Sequence, residues 1–112
     1  MNNAEAESNV WRDTTTSQLA EVLSAVSSPV EMKAFLRDVM TEKEIVEISA
    51  RLKAAQMLRS GKKYTDIVAD TKLSSRTIAR ISDWLQNGDG GYDTALQLLE
   101  KHHAHPLPAR AK

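Results

Sequence analysis

The chain contains no cysteine, which excludes disulfide bonds and thiolate metal sites. Aromatic residues make up only 4% of the sequence, so its hydrophobic residues, at 41%, predict a modest aliphatic core. No apolar run approaches the roughly 18 residues that a membrane-spanning helix needs, and no signal-peptide core follows the acidic start. At 112 residues the chain fits one small domain, a size that often gains buried surface by dimerising. These features favour a cytoplasmic protein.

The chain also lacks net charge, but its charges are unevenly distributed. Residues 1–50 contain four basic and nine acidic side chains, and residues 81–112 contain three basic and four acidic ones. Residues 51–80, in contrast, contain eight basic and two acidic side chains, a net charge of +6. Because salt screens charges over about 10 Å, a phosphate senses this local excess rather than the total. The segment is a candidate contact for a polyanion, although a solvated helix face would have similar charges.

Apolar spacing and capping residues predict six helices. Apolar residues at i, i+3, i+4 and i+7 begin a helix near Ser17, and Ser28, Pro29 and Glu31 form the capping pattern of a second. Further helices are predicted at about 42–60, 64–71, 75–86 and 92–102, with Gly61 as a stop after the first of these. No strand-like alternation is present, so the fold class is all-α. We expect a flexible N-terminal segment at 1–16, a helical domain at 17–102 and a flexible C-terminal tail at 103–112.

The stretch D-I-V-A-D-T-K-L-S-S-R-T-I-A-R-I, residues 66–81, predicts two short helices joined by a polar break. Its four apolar positions, Ile67, Leu73, Ile78 and Ile81, dock the helices steeply and leave the N-terminal outer side of the second one free. A helix with short polar side chains and arginine on that side suits the DNA major groove. Lys72 occupies the turn position where such motifs often have glycine. The candidate DNA-binding residues are Lys62, Lys63, Lys72, Ser74, Ser75, Arg76, Thr77, Ala79 and Arg80.

A longer block, L-R-S-G-K-K-Y-T-D-I-V-A-D-T-K-L-S-S-R-T-I-A-R-I preceded by M-T-E-K-E-I-V-E-I-S-A-R-L, resembles the Trp repressor superfamily. The following N-G-D-G-G-Y-D is similar to the YerC/YecD-type branch of Trp-repressor-related proteins. The resemblance runs from about Ser17 to Glu100. It implies an intertwined homodimer with a helix-turn-helix that binds double-stranded DNA as a bacterial transcriptional regulator. Its two reading heads would address half-sites about 34–36 Å apart.

The resemblance also raises the question of a ligand. In the Trp repressor an amino-acid corepressor lies between the long central helix and the reading helix, and Thr41, Arg51 and Arg80 match residues of that pocket by position. Ile81 stands where the family has a glycine that leaves room for the indole, and Trp84 where it has a small serine. Forcing a flat ring against a branched side chain costs about 1–3 kcal/mol. We therefore expect a vestigial pocket that Ile81 fills, with Trp84 as ordinary core or a second filler, and no small-molecule corepressor.

No pattern in the sequence supports an enzyme, a cofactor or a metal site. His102, His103 and His105 lie in a proline-containing tail that resists a fixed ligand geometry. Two alternatives to a tryptophan-independent repressor stay open: an amino-acid-dependent repressor of the Trp repressor type, and a helical protein-interaction module without DNA binding. The Ser, Thr and Arg side chains of residues 74–80 argue against the module, because a partner-binding helix would expose Leu, Phe or Met there.

Overall fold

A computed structural model describes residues 9–104 of the chain, and the side chains of residues 9–101. A short 3-10 helix, Asn9–Arg12, precedes six helices: α1 (Thr14–Ala25), α2 (Pro29–Val39), α3 (Glu42–Arg59), α4 (Tyr64–Thr71), α5 (Ser75–Asn87) and α6 (Gly91–Ala104). The described residues contain no strand, which confirms the all-α prediction. Within that range, no helix combines the length and the apolarity needed to cross a membrane. The expectations for residues 1–8, for the histidine side chains and for the tail from residue 105 lie outside the described residues.

The first helix begins earlier than its apolar spacing predicts. Asp13 caps α1, because its carboxylate accepts a hydrogen bond of 2.7 Å from the backbone N–H of Thr15. The hydroxyl of Ser17 donates to the backbone carbonyl of Trp11 at 2.7 Å and joins the 3-10 helix to α1. The helix therefore starts at Thr14, three residues before the expected Ser17. A run of threonines carries no apolar periodicity, so this turn was not visible in the sequence pattern.

The start of α2 and the end of α3 confirm the capping and stop signals predicted from the sequence. The side chain of Ser28 accepts a hydrogen bond of 3.3 Å from the N–H of Glu31 and caps α2. Gly61 follows α3 with φ +82°, and its N–H donates to the carbonyl of Leu58 at 3.0 Å. The next residue donates to the carbonyl of Met57, also at 3.0 Å. These two bonds form a Schellman motif, whose left-handed position glycine occupies without strain.

The chain divides into two compact units, Met1–Glu42 and Lys43–Lys112. No side chain is buried among the described residues of the first unit. Its exposed large apolar side chains include Val30, which is 76% exposed, together with Val10, Trp11, Leu19, Val22 and Val39. Because hydrophobic stabilisation scales with the apolar area removed from water, this unit gains little of it from its own contacts.

The second unit contains the hydrophobic core. Its buried side chains are Ala54 and Ala55 of α3, Ile67 of α4, Ile78 and Ile81 of α5, and Leu96 of α6. Helix α4 packs against α5, and α5 packs against α6. Leu73, in the turn between α4 and α5, is half-buried against this core. All four apolar residues of the predicted motif therefore lie in this core or pack against it. Each fully buried isoleucine contributes about 1.5–3 kcal/mol, which holds α5 in place.

Candidate nucleic-acid interface

Only three residues, Lys72–Ser74, separate α4 from α5. Lys72 has φ +65° and ψ +10°, and its N–H donates to the carbonyl of Val68 at 2.9 Å. This bond closes α4 with a left-handed cap, the conformation that glycine adopts most readily. An L-residue pays about 1–2 kcal/mol for it. The turn therefore has the geometry that glycine usually provides, with an exposed lysine in its place.

Two of the candidate DNA-binding residues form the N-terminal cap of α5. The side chain of Ser74 accepts a hydrogen bond of 3.1 Å from the backbone N–H of Thr77. The same hydroxyl donates to the Thr77 hydroxyl oxygen at 3.0 Å. Thr77 is also half-buried, whereas Ser74 is exposed. Because their hydroxyls satisfy each other and the helix start, these residues position α5 more than they present polar atoms outward.

Four other candidates lie on the outer side of α5. Ser75, Arg76, Ala79 and Arg80 are all exposed, while Ile78 is buried between them in the sequence. Residues three and four apart are neighbours on a helix surface, so these four form one continuous patch. Neither Arg76 nor Arg80 forms a salt bridge with any other side chain that the structure describes. Both guanidinium groups are therefore available to an external anion.

Three lysines add positive charge to the same segment of the chain. Lys62 and Lys63 are exposed immediately before α4, and Lys72 is exposed in the turn before α5. Cations near a helix N-terminus oppose the helix macrodipole, at a cost of typically 0.3–1 kcal/mol. The first turn of α5 likewise contains Arg76 and no acidic residue. Lys72 also caps the C-terminus of α4, where a cation is favourable, and Asp66 lies in the first turn of α4, so only Lys62, Lys63 and Arg76 oppose a helix dipole. The positive N-terminal ends of α4 and α5, together with these cations, favour phosphate. We call Lys62, Lys63, Lys72, Arg76 and Arg80 the basic surface.

A cavity of about 520 Å³ lies in the second unit, between α3, α5 and the beginning of α6. Its size falls within the usual range of small-molecule sites, about 300–1,000 Å³. Its lining residues are Ile48, Arg51, Leu52, Trp84, Gly88, Asp89, Gly91, Tyr92 and Ala95. Apolar and aromatic side chains therefore form most of the wall, with one guanidinium and one carboxylate.

The structure brings together only part of the predicted vestigial pocket. Arg51 and Trp84 both line the cavity, whereas Ile81 is fully buried in the core and Arg80 is exposed on the basic surface. The remaining candidate, Thr41, belongs to the first unit.

The interpretation of Trp84 as ordinary core is wrong. Trp84 is 42% exposed, and Leu85 packs against the core in its place. A three-residue spacing after Ile81 puts Trp84 at the edge of the buried side of α5 rather than at its centre. The indole therefore forms part of the cavity wall and does not fill the cavity.

The positive charge of Arg51, which lines the cavity together with Trp84, is partly neutralised by a neighbouring carboxylate. Arg51 forms a salt bridge of 3.2 Å with Glu47, one helical turn earlier on α3. Burial raises the pKa of the Tyr92 phenol above its ordinary value of 10.0, and the positive charge of Arg51 partly opposes this effect. An arginine that already pairs with a carboxylate is a weaker anchor for the carboxylate of a ligand than an unpaired one. The cavity thus offers aromatic surface more than it offers free positive charge.

Sequence reasoning missed Tyr92, Asp89 and Gly88 as cavity residues. The stretch N-G-D-G-G-Y-D contributed only to the family resemblance, and its glycines gave no signal of a cavity. A Cβ atom on Gly88 would lie 2.5 Å from the backbone carbonyl oxygen of Trp84, which is too close for any other residue without a shift. The glycine thus allows the chain to turn tightly against the end of α5, at the edge of the cavity.

Comparisons with known proteins agree with this architecture. Residues 14–100 match the family model described as Trp repressor protein. The uncharacterized protein YerC of Bacillus subtilis (strain 168) is 32% identical over 84 residues, which cover 75% of this chain and 81% of that protein. The crystal structure of a TrpR-like protein from Eubacterium eligens ATCC 27750 is similar with a TM-score of 0.77 and 32% identity, over 83% of this chain and 96% of that one. The predicted resemblance is confirmed: the chain belongs to the Trp repressor family.

Proposed function

We propose that this protein is a cytoplasmic bacterial transcriptional regulator that binds double-stranded DNA sequence-specifically, as a homodimeric repressor independent of tryptophan. Membership of the Trp repressor family, which is a regulatory family, supports this function. The observation that carries the proposal is the outer patch of α5, where Ser75, Arg76, Ala79 and Arg80 are exposed over a buried inner side. In this proposal α4, the turn and α5 act as a helix-turn-helix, with α5 entering the major groove.

The same patch argues against a protein-interaction module. A helix that binds a protein groove presents large apolar anchors at i, i+3, i+4 and i+7. The exposed residues in the first two turns of α5 are instead a serine, two arginines and an alanine. Short polar side chains and arginine are the groups that hydrogen-bond to base edges and phosphates. Duplex DNA is therefore the better partner for this surface.

A homodimer is supported by the first unit. Helices α1 and α2 expose apolar side chains, including Leu19 and Val22, and bury none. A second copy of the chain would cover such surfaces and complete a core that 112 residues alone leave small. Leu19→Asp should therefore dissociate the dimer, while Gln18→Asp, with the same added charge on an exposed neighbour, should not. Sedimentation equilibrium that gives a monomer mass for the unchanged protein at tens of micromolar contradicts this part of the proposal.

Independence from tryptophan is supported by the packing of α5. Ile78 and Ile81, on the inner side of α5, are fully buried, so the core positions this helix without a ligand. The open cavity beside Arg51 favours a second candidate, a regulator whose DNA binding responds to a small molecule. Calorimetric titration with L-tryptophan tests whether tryptophan is such a ligand. We expect no saturable binding in the micromolar range, and a clear isotherm would favour the second candidate.

Two substitutions test DNA binding directly. Arg76→Ala should lower affinity for a selected duplex by about 1–3 kcal/mol and relax the preference at particular base pairs, because arginine reads base edges. Lys63→Ala should weaken all duplexes equally and lower the slope of log K against log salt by about one unit for each of the two protomers, because it contacts phosphate. Equal losses on every sequence for both variants would show that Arg76 also contacts only phosphate.

A charge reversal separates DNA binding from folding. Arg76→Glu places an acidic residue in the first turn of α5, where the macrodipole favours it, so the helix should be at least as stable as before. Its affinity for duplex DNA should nevertheless fall severely. Lys33→Glu on α2 is the matched control, because it makes the same change of charge at an exposed position outside the basic surface. Equal loss of binding in both variants would indicate a response to total charge instead of a contact at α5.

A further inference from the structure

The structure narrows the set of side chains on α5 that are available to DNA bases. Six residues near its beginning were candidates, but Ser74 and Thr77 bond to each other and cap the helix. Four exposed side chains are left, those of Ser75, Arg76, Ala79 and Arg80. Among these four, Ala79 is the one that has no polar atom. An apolar side chain in a DNA-binding patch must face an apolar group on the duplex.

Ala79 lies one turn beyond Arg76 and Ser75 on the same side of the helix. Its methyl group is the shortest side chain in the patch, so the helix backbone can approach the groove floor most closely at this point. A methyl group forms no hydrogen bond, and burying it against a polar base edge would leave that edge unpaired. In the major groove the apolar group is the 5-methyl of thymine, which alanine contacts favourably.

We infer that Ala79 determines specificity by contacting the 5-methyl group of a thymine in each half-site, next to a guanine that Arg76 contacts. This inference rests on the proposed DNA-binding function and names the base chemistry that it selects. Arginine bonded to O6 and N7 of guanine is the commonest base-specific contact. The Cα atoms of residues three apart are offset by about 4.5 Å along a helix axis, compared with about 3.4 Å for one base step. The thymine therefore lies within two base pairs of the guanine.

An exposed alanine also has a purely structural explanation, since alanine is the best helix former. The two explanations differ on the DNA side. If Ala79 only favours the helix, any effect of removing a methyl group from the duplex does not depend on the side chain at position 79. If Ala79 contacts thymine, the same removal weakens binding at one position in each half-site. A change in the DNA leaves the protein fold untouched, so it tests the contact alone.

The experiment begins with duplexes selected from a random pool by the full-length protein. Each thymine of the selected half-site is then replaced by uracil, which differs only in lacking the 5-methyl group, and affinity is measured by fluorescence anisotropy. We expect one position per half-site, within two base pairs of a guanine, to lose about two- to fourfold in affinity, the range expected for one buried methyl group. Ala79→Gly should bind thymine and uracil duplexes equally, whereas Ser75→Ala should keep the discrimination.

The outcomes are distinct. If the protein binds selected duplexes but no uracil replacement weakens binding by as much as 1.5-fold, Ala79 contacts no thymine and the inference is overturned while the proposed function stands. Discrimination that persists unchanged in a folded Ala79→Gly also overturns it. Circular dichroism checks that Ala79→Gly folds. If it does not, the uracil series on the unchanged protein still tests the inference, because no loss at any thymine would overturn it. Failure to bind any duplex at low salt overturns the proposed function and the inference together.

Discussion

Replacement of Lys72 by glycine should stabilise the protein and weaken its binding to DNA at the same time. Lys72 is exposed, and its φ of +65° places it in the left-handed region. That conformation costs an L-residue about 1–2 kcal/mol, which glycine does not pay. Glycine is in turn more flexible in the unfolded chain, a cost of about 0.5–1 kcal/mol. The difference predicts a gain of roughly 0.5–1 kcal/mol in the free energy of unfolding.

The charge of Lys72 must be separated from its backbone strain. Lys72→Gln removes the charge and keeps a Cβ atom, so it retains the strained turn and should leave stability within about 0.5 kcal/mol of the unchanged protein. Both variants lose the same cation from the basic surface. If the protein binds duplex DNA as the proposed homodimer, each variant loses two phosphate contacts per complex and should lower the slope of log K against log salt by about 1.8.

Urea denaturation of all variants at one fixed protein concentration measures the stability difference, because the proposed dimerisation would make the midpoint depend on concentration. A gain of the expected size corresponds to a rise of about 3 °C in Tm for a chain of this length. The comparison that decides is Lys72→Gly against Lys72→Gln, since these differ in backbone freedom but not in charge. If the glycine variant is no more stable than the glutamine variant, the turn stores no strain and the reasoning fails.

Three further predictions concern the core, the cap and the cavity. Ile67→Ala should lower the free energy of unfolding by about 2–5 kcal/mol, because Ile67 is fully buried, and a loss below 1 kcal/mol in urea denaturation would contradict its place in the core. Ser74→Ala should cost about 0.5–2 kcal/mol by removing the cap of α5, whereas Ser75→Ala should stay within about 0.5 kcal/mol; equal effects in thermal melts would refute the cap. The raised pKa of Tyr92 means that the unfolded chain loses this proton first, so stability should fall as pH rises above about 10, and less so in Tyr92→Phe. Difference titration of phenolate absorbance between these two proteins should give a midpoint above 10, and a midpoint below 10 would contradict the burial.

Much of the fold followed from local signals in the sequence. Ser28 caps α2 and Gly61 ends α3 as predicted, because each signal acts on backbone groups within four residues. The start of α1 was missed because Asp13 caps a run of threonines that has no apolar period. The predicted family was confirmed through motifs that cover most of the chain.

The candidate site was predicted less completely. The exposed patch on α5 followed from its spacing, since buried Ile78 and Ile81 leave the opposite side to solvent. The separate role of Ser74 and Thr77 did not, because a polar residue near a helix start suits a cap and a DNA contact equally well. The predicted pocket included Arg51, Ile81 and Trp84 together. In the structure Arg51 and Trp84 line the cavity, and Ile81 lies in the core instead.

The sequence by itself determined where helices begin and end and which side of each is apolar. These properties depend on contacts within a few residues and on a period of 3.6. Only the tertiary structure decided that Trp84 lies in an open wall while Leu85 enters the core, and that Arg51 shares a cavity with Tyr92. Burial is set by whichever element packs against a side chain, and that element comes from a distant part of the chain. The apolar periodicity of a helix identifies the side that will be buried. The packing of α3, α5 and α6 decides which residues at the edge of that side are buried and which stay exposed.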